Sequence, residues 1–207
     1  MTDVHPNSLF GLLRHGKTLW NEQKRIQGSS NSPLTTEGIN TLKHWQPHLE
    51  RYHWNLILTS PLQRARHTAE ILNKSLGLPI KTEDGLREQD WGQWEGMTLP
   101  ELRKSFPREL EKQTAAGWDF TPTGGESRRV VLERSMDIVE KYHHLSLEKR
   151  ILIISHQSVI KCLVYSLLNR AFLEHEKKVL NKNALHLLKH DQGRLKTHQL
   201  NIEPTQP

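Results

Sequence analysis

The sequence predicts an α/β fold, a three-layer α/β/α sandwich around a mostly parallel central sheet. Two observations carry that expectation. Short apolar runs alternate with longer segments of helical period. The run RILIIS at 150–155 is apolar on both alternations, as a strand covered on both faces must be. At 207 residues the chain suits one domain, 1–207, whose core needs neither metal nor disulfide staples.

Taken in order, strands are expected at 8–13, 55–59, 80–82 and 150–155. A helix opens at Thr35 or Thr36 and carries Ile39, Leu42, Trp45 and Leu49, and Pro47 is expected to kink or shorten it. Ser60 and Pro61 read as the N-cap and first residue of the next helix. Its stripe is Leu62, Ala65, Ala69, Leu72 and Leu76, and Gly77 ends it. Further helices are expected at 126–143 and 158–168. The stretch 97–125 holds Pro107, Pro122, Gly124 and Gly125, and reads as a small excursion from the sheet. Near the end, NALHLLKH and RLKTHQLNI flank Asp191, Gln192 and Gly193 as a β-hairpin, and 203–207 reads as a frayed tail.

The net charge of +6 is scattered, with no run of five like charges, and aromatic residues make up 6%. That argues against nucleic acid as a partner, since no surface interleaves basic and aromatic residues. A small anion remains compatible with it. The single Cys162 excludes an intrachain disulfide and, among apolar neighbours, is expected to be buried. No 18-residue apolar run and no signal-like start are present, so the expectation is a cytoplasmic protein without a membrane partner. His44 with His48, His143 with His144 and His186 with His190 are read as structural, not as metal ligands.

Four separated segments carry chemistry: LLRHGKT at 12–18, SPLQRARHTA at 60–69, LREQDWGQWEG at 86–96 and ILIISHQSVI at 151–160. Arg14 and His15 follow a strand and so emerge at the carboxyl end of the sheet, where open α/β folds bind ligands. A neutral imidazole can attack phosphorus. A neighbouring guanidinium keeps it neutral and also holds phosphate oxygens. Arg64 lies in the first turn of a helix, whose free N–H groups add to an anion site. His156 ends a strand and opens a helix, the same placement as His15. Glu88 falls in a loop beside Trp91 and Trp94, and apolar rings around a carboxyl favour the protonated form a general acid needs. Asp90, Glu95 and Glu83 rival it, and spacing does not choose between them.

These motifs, spread from Phe10 to the hairpin after Asn183, identify the chain as resembling the histidine phosphatase superfamily, the phosphoglycerate-mutase-like group. The resemblance implies that His15 is the nucleophile that becomes phosphohistidine. It implies that Arg14, Arg64 and His156 hold the phosphoryl group, and that Glu88 is the acid, which settles the choice among carboxylates. Asn21, Gln27 and Gly28 match positions lining the pocket, and Ser127 of the GGES turn and Gln157 match positions tied to specificity. The excursion at 97–125 is then expected over the active site. The implied activity is hydrolysis of a small phosphorylated metabolite, releasing phosphate without metal or other cofactor, by a monomer or homodimer. α-Ribazole phosphate, a sugar phosphate or a broad range of esters all fit as substrate. A phosphoglycerate-type mutase is the first alternative, although the 68 residues from Glu88 to His156 are short for one. A catalytically silent phosphate-binding protein is the second, and such proteins usually lack one of the core residues. Lys17 stands where Glu or Gln is usual, which should make the mouth more positive. Gln157 stands where Gly is common and should narrow the pocket.

Overall fold

The computed structural model describes residues 7–145, 149–191 and 193–204. Gln192 of the expected turn and 205–207 of the expected tail lie outside the described residues. Six strands form one sheet: β1 (Leu9–Arg14), β2 (Leu56–Thr59), β3 (Ile80–Thr82), β4 (Arg150–Ser155), β5 (Leu185–Asp191) and β6 (Arg194–Ile202), in the order β3-β2-β4-β1-β5-β6. The first four in that order run parallel, and the hairpin adds two antiparallel strands. The helices are α1 (Leu19–Glu22), α2 (Thr36–Glu50), α3 (Gln63–Leu76), α4 (Leu99–Ser105), α5 (Pro107–Ala115), α6 (Arg128–His144) and α7 (Gln157–Leu167). Among the described residues no helix is long and apolar enough to cross a membrane.

Strand residues alternate between the faces of the sheet, and both faces are apolar here. Phe10, Leu12, Leu58, Ile151 and Ile153 pack with Val131 and Val139 of α6 and Val159 and Leu163 of α7. On the other face Leu13, Ile57, Leu152 and Ile154 meet Leu42, Trp45 and Leu49 of α2 and Ala65, Ala69 and Leu72 of α3. That is the three-layer arrangement. A third, smaller cluster of Trp94, Leu102 and Phe120 gives α4, α5 and their flanking loops their own core.

Two local expectations change. α2 runs through Pro47 to Glu50. Pro47 and Lys43, whose carbonyl loses its helical donor, are both exposed, so water can serve that carbonyl. Ser60 does not cap α3, which starts at Gln63 with Leu62 in the N-cap position. The Ser60 hydroxyl is engaged elsewhere, as described below. Gly77 does end α3, in the left-handed conformation at φ 64°. Trp45, Trp54 and Trp94 are buried, and Trp20, Trp91 and Trp118 are half-buried.

Candidate active site

Parallel register builds the site. Arg14 on β1 lies opposite Ser155 on β4, so His15 and His156 leave adjacent strands at the same carboxyl edge. The His15 N–H donates to the Ser155 carbonyl at 3.0 Å, and the two imidazole centroids are 5.2 Å apart. β2 ends beside β4, with Thr59 opposite Ile154, which delivers Ser60 to the same edge. There the Ser60 Oγ lies 2.7 Å from His156 Nε2 and accepts from the Leu62 N–H at 3.2 Å. The hydroxyl expected to cap α3 is therefore bound to the second histidine.

His15 is fixed in one tautomer. Its Nδ1 is 2.8 Å from the Gly16 carbonyl, which can only accept, so Nδ1 carries the proton. Nε2 is left with a lone pair, which accepts from Arg64 Nε at 3.3 Å. Burial, then Arg14 and Arg64, hold this imidazole well below its ordinary value of 6.5, outweighing the Gly16 hydrogen bond. His156 is likewise pushed well below 6.5, by burial first and then by Arg64, His15 and Arg14. Both rings are thus neutral at pH 7.

Arg64 is almost fully buried and donates from each of its three nitrogens. Besides Nε to His15, Nη1 donates to Ser30 O at 2.9 Å and Nη2 to Gly28 O at 2.6 Å. Burial lowers its guanidinium to about 10, partly offset by Glu88, so it stays cationic. Glu95 holds the same loop from the other side, accepting from Ser29 N (2.6 Å), Ser30 N (3.1 Å) and Ser30 Oγ (2.6 Å). Gly28 sits at φ 51° with the Glu95 carboxylate against its Cα, where no side chain fits. Three buried polar atoms at this edge have no hydrogen-bond partner among the described residues: Arg14 Nε, His156 Nδ1 and Gln27 Oε1.

These groups border a cleft of about 700 Å³, with Arg14, His15, Asn21, Gln27, Gly28, Arg64, Glu88 and Gln157 on its walls. His156 lies buried behind them. Of the rival carboxylates, only Glu88 reaches the cleft. Glu95 clasps the loop, Asp90 accepts from Gly92 N, and Glu83 is bound to Tyr142 and Lys141. Glu88 Oε1 accepts from Gln89 N (2.9 Å) and from Ser158 N (3.2 Å) at the start of α7. Its backbone carbonyl accepts from Arg134, which also pairs with Glu126 through two hydrogen bonds of 2.7 and 2.8 Å. Trp91 lines the cleft, but Trp94 is buried in the third cluster, so only one of the two expected rings stands beside the acid.

The structure places three of the expected features as follows. Ser127 is not on the walls of the cleft; its hydroxyl accepts from Val130 N and caps α6. Glu126 of the GGES turn is paired with Arg134. Lys17 lines the mouth but is neutralised by Glu37 (2.6 Å) and Glu22 (3.3 Å). Of the excursion at 97–125, Leu99 alone of the described residues lines the cleft. Sequence reasoning also missed Ser60, Thr68, Ser158, Arg134 and Lys182. A serine or threonine gives no periodic signal, and only the SP-x-x-R-x-x-x-T spacing hints at Ser60 and Thr68. A cleft of similar size, about 660 Å³, opens around Ser8, Asn55 and Arg150 and has no carboxylate on its walls.

Comparison with known proteins agrees with this geometry. The profile of the histidine phosphatase superfamily (branch 1) matches residues 10–203. "Uncharacterized phosphatase PhoE" of Bacillus subtilis is 33% identical over 74% of this chain and 74% of its own length. "Probable phosphoglycerate mutase GpmB" of Photorhabdus laumondii is 35% identical over 76% of this chain and 73% of its own. Among solved structures, Bacillus stearothermophilus YhfR superposes with a TM-score of 0.83 at 28% identity, covering 97% of this chain and 98% of that one.

Proposed function

The chain belongs to the histidine phosphatase superfamily, and from that premise we propose a metal-independent phosphomonoester hydrolase that works through phosphohistidine on a small phosphorylated metabolite. One observation carries the reading. His15 is held neutral, with its Nε2 lone pair set beside one guanidinium while that of Arg14 shares the cleft.

In the proposed first step His15 Nε2 attacks phosphorus in line, forming an N–P bond as the ester P–O bond breaks. Arg14, Arg64 and the Nδ1–H of His156 hold the equatorial oxygens. That role calls for the proton of His156 on Nδ1, so Ser60 donates to Nε2. Glu88 delivers a proton to the departing alkoxide through Oε2, the oxygen that makes no backbone hydrogen bond. In the second step the Glu88 carboxylate takes a proton from water. The water oxygen attacks phospho-His15, and phosphate leaves with His15 neutral again. Acceleration comes from positioning and from charge placed where oxyanions develop. Asn21, Gln27, Gly28 and Gln157 border the leaving group.

Mutase chemistry is the second reading, favoured by the 35% identity to the GpmB protein. It differs only in what accepts the phosphoryl group from His15. Rapid quench into base after incubation with a 32P-labelled ester should trap an acid-labile label on the wild type and none on His15→Asn. Turnover without that label would sink the covalent route. Net release of phosphate, with no isomerised phosphoglycerate, separates hydrolysis from mutase action.

A further inference from the structure

The rim of the cleft carries cations of two kinds. Lys17 is matched by Glu37 and Glu22, and Arg25 donates to Glu101 at 3.2 Å. Lys24 and Lys182 also line the cleft and, among the described residues, form no ion pair; of the two, Lys182 lies near further cations. Lys182 lines the cleft, and it lies in the electrostatic neighbourhood of Lys161 together with Lys178 and Arg128. Lys161 is on α7, four residues beyond Gln157 and therefore on the same helix face, one turn away. Its ammonium is 5.5 Å from the Tyr165 ring centroid and 5.8 Å from that of Phe172, and Arg128 faces the same Phe172 ring at 4.5 Å. Among the described residues no carboxylate lies within ion-pair distance of Lys161, Lys178, Lys182 or Arg128.

Like charges gathered without counter-charge repel one another, and partial burial adds a desolvation cost; an anion relieves both. Burial and then Arg128 push Lys161 below its ordinary value, in keeping with that cost. The transferred phosphoryl group does not serve here, because Arg14, Arg64 and His156 hold it at the strand ends. Resting on the phosphatase reading, we infer that the wall at Lys182, backed by Lys161, Lys178 and Arg128, binds a second anionic group on the leaving-group side of the substrate. A carboxylate or a second phosphate supplies that chemistry. Lys182 is the contact, and the cations behind it strengthen the field.

Matched esters test this. 6-Phosphogluconate differs from sorbitol 6-phosphate by a carboxylate, and fructose 1,6-bisphosphate differs from fructose 6-phosphate by a phosphate. For at least one pair the doubly anionic ester should have the higher kcat/KM, by roughly tenfold, the lower end of what a hydrogen bond to a charged group contributes. Which pair responds identifies the group. Lys182→Gln, a change at an exposed side chain, should bring that ratio towards one, and Lys182→Glu should take it below one. p-Nitrophenyl phosphate separates the two levels of the reading. If it is hydrolysed while both ratios stay near one, or while none of the four sugar esters is used, the second-anion inference is overturned and the phosphatase survives. If no ester at all is hydrolysed, the phosphatase reading itself falls.

Discussion

Arg64→Lys tests whether the site depends on a planar fork or merely on a positive charge. Arg64 donates in three directions, to His15 Nε2, Ser30 O and Gly28 O. An ammonium is a point donor on a flexible stem and can replace one of these at a time. Two hydrogen bonds from a charged donor are then lost, at about 1.5–3 kcal/mol each. Ser30 is half-buried, so its freed carbonyl can turn towards water, whereas Gly28 is buried and its carbonyl cannot do so as easily; about 3 kcal/mol is therefore the minimum. For a chain of this size that lowers Tm by roughly 6–12 °C. Catalysis suffers separately, because loss of one aligned donor to a developing oxyanion costs about 10²–10³-fold in kcat. Arg64→Ala should lose at least as much in kcat while losing the charge as well. Scanning calorimetry and steady-state hydrolysis of p-nitrophenyl phosphate measure the two effects. An Arg64→Lys enzyme within threefold of wild type in kcat/KM, and within 2 °C in Tm, would refute the reasoning.

Ser60→Ala removes the only side chain among the described residues that is bound to His156 and should lower kcat/KM by about tenfold and Tm by roughly 2–4 °C, the scale of one buried hydrogen bond of about 1 kcal/mol; unchanged kinetics would show that Ser60 does not set the proton on His156. Gly28→Ala places a Cβ against Glu95 at positive φ, so stability should fall by about 1–2 kcal/mol or more, with a raised KM for phosphate esters. A variant with wild-type melting and KM would mean that the loop relaxes freely. Stability should also fall in mild acid. His15 and His156 are held well below 6.5 by burial and nearby arginines, and His186 is lowered to about 4 by burial. Below pH 6.5 the unfolded chain therefore takes up protons that the folded chain refuses. Each such histidine removes about 1.4 kcal/mol per pH unit as pH drops, and the His186 share levels off near pH 4. A Tm that stays flat from pH 7 to pH 5 would contradict the buried neutral state.

The strands and their partners were legible because burial imposes a period. RILIIS had to be covered on both faces, and once it paired with 9–14 the placement of His15 beside His156 followed from register. Residues without periodicity were read poorly. Ser60 resembled an N-cap because a serine before proline usually is one; its use by His156 depends on a strand neighbour more than ninety residues away. Ser127 was assigned to the cleft by its motif, yet an N-cap hydroxyl turns back along its own helix. Spacing alone left Glu95 and Glu88 equivalent, and the resemblance chose Glu88; in the structure Glu95 is bound to Ser29 and Ser30 of the Gly28 loop. Lys17 pointed to a positive mouth because its partner Glu37 lies in the first turn of another helix. Apart from Ser127, whose partner is its own helix, each failure is a side chain whose role is set by a long-range partner.

The strongest long-range coupling is a closed ring of hydrogen bonds. Arg64 Nε donates to His15 Nε2, His15 Nδ1 donates to Gly16 O, Gly16 N donates to Thr68 Oγ1, and Thr68 Oγ1 donates to Arg64 O. Thr68 stands four residues after Arg64 and so lies directly behind it on α3. The ring binds the end of β1 to the first turns of α3, so the nucleophile and its cation cannot move apart without breaking a buried bond. It also sets chemistry. Gly16 fixes the proton on Nδ1, which leaves Nε2 as the only ring atom able to form a bond to phosphorus. In the free protein Arg64 occupies that lone pair through Nε, and an entering phosphoryl group offers the guanidinium better acceptors in its own oxygens. In the proposed mechanism substrate binding thereby releases the lone pair at the moment it is needed, and the same arginine that keeps His15 neutral before binding becomes part of the cradle afterwards.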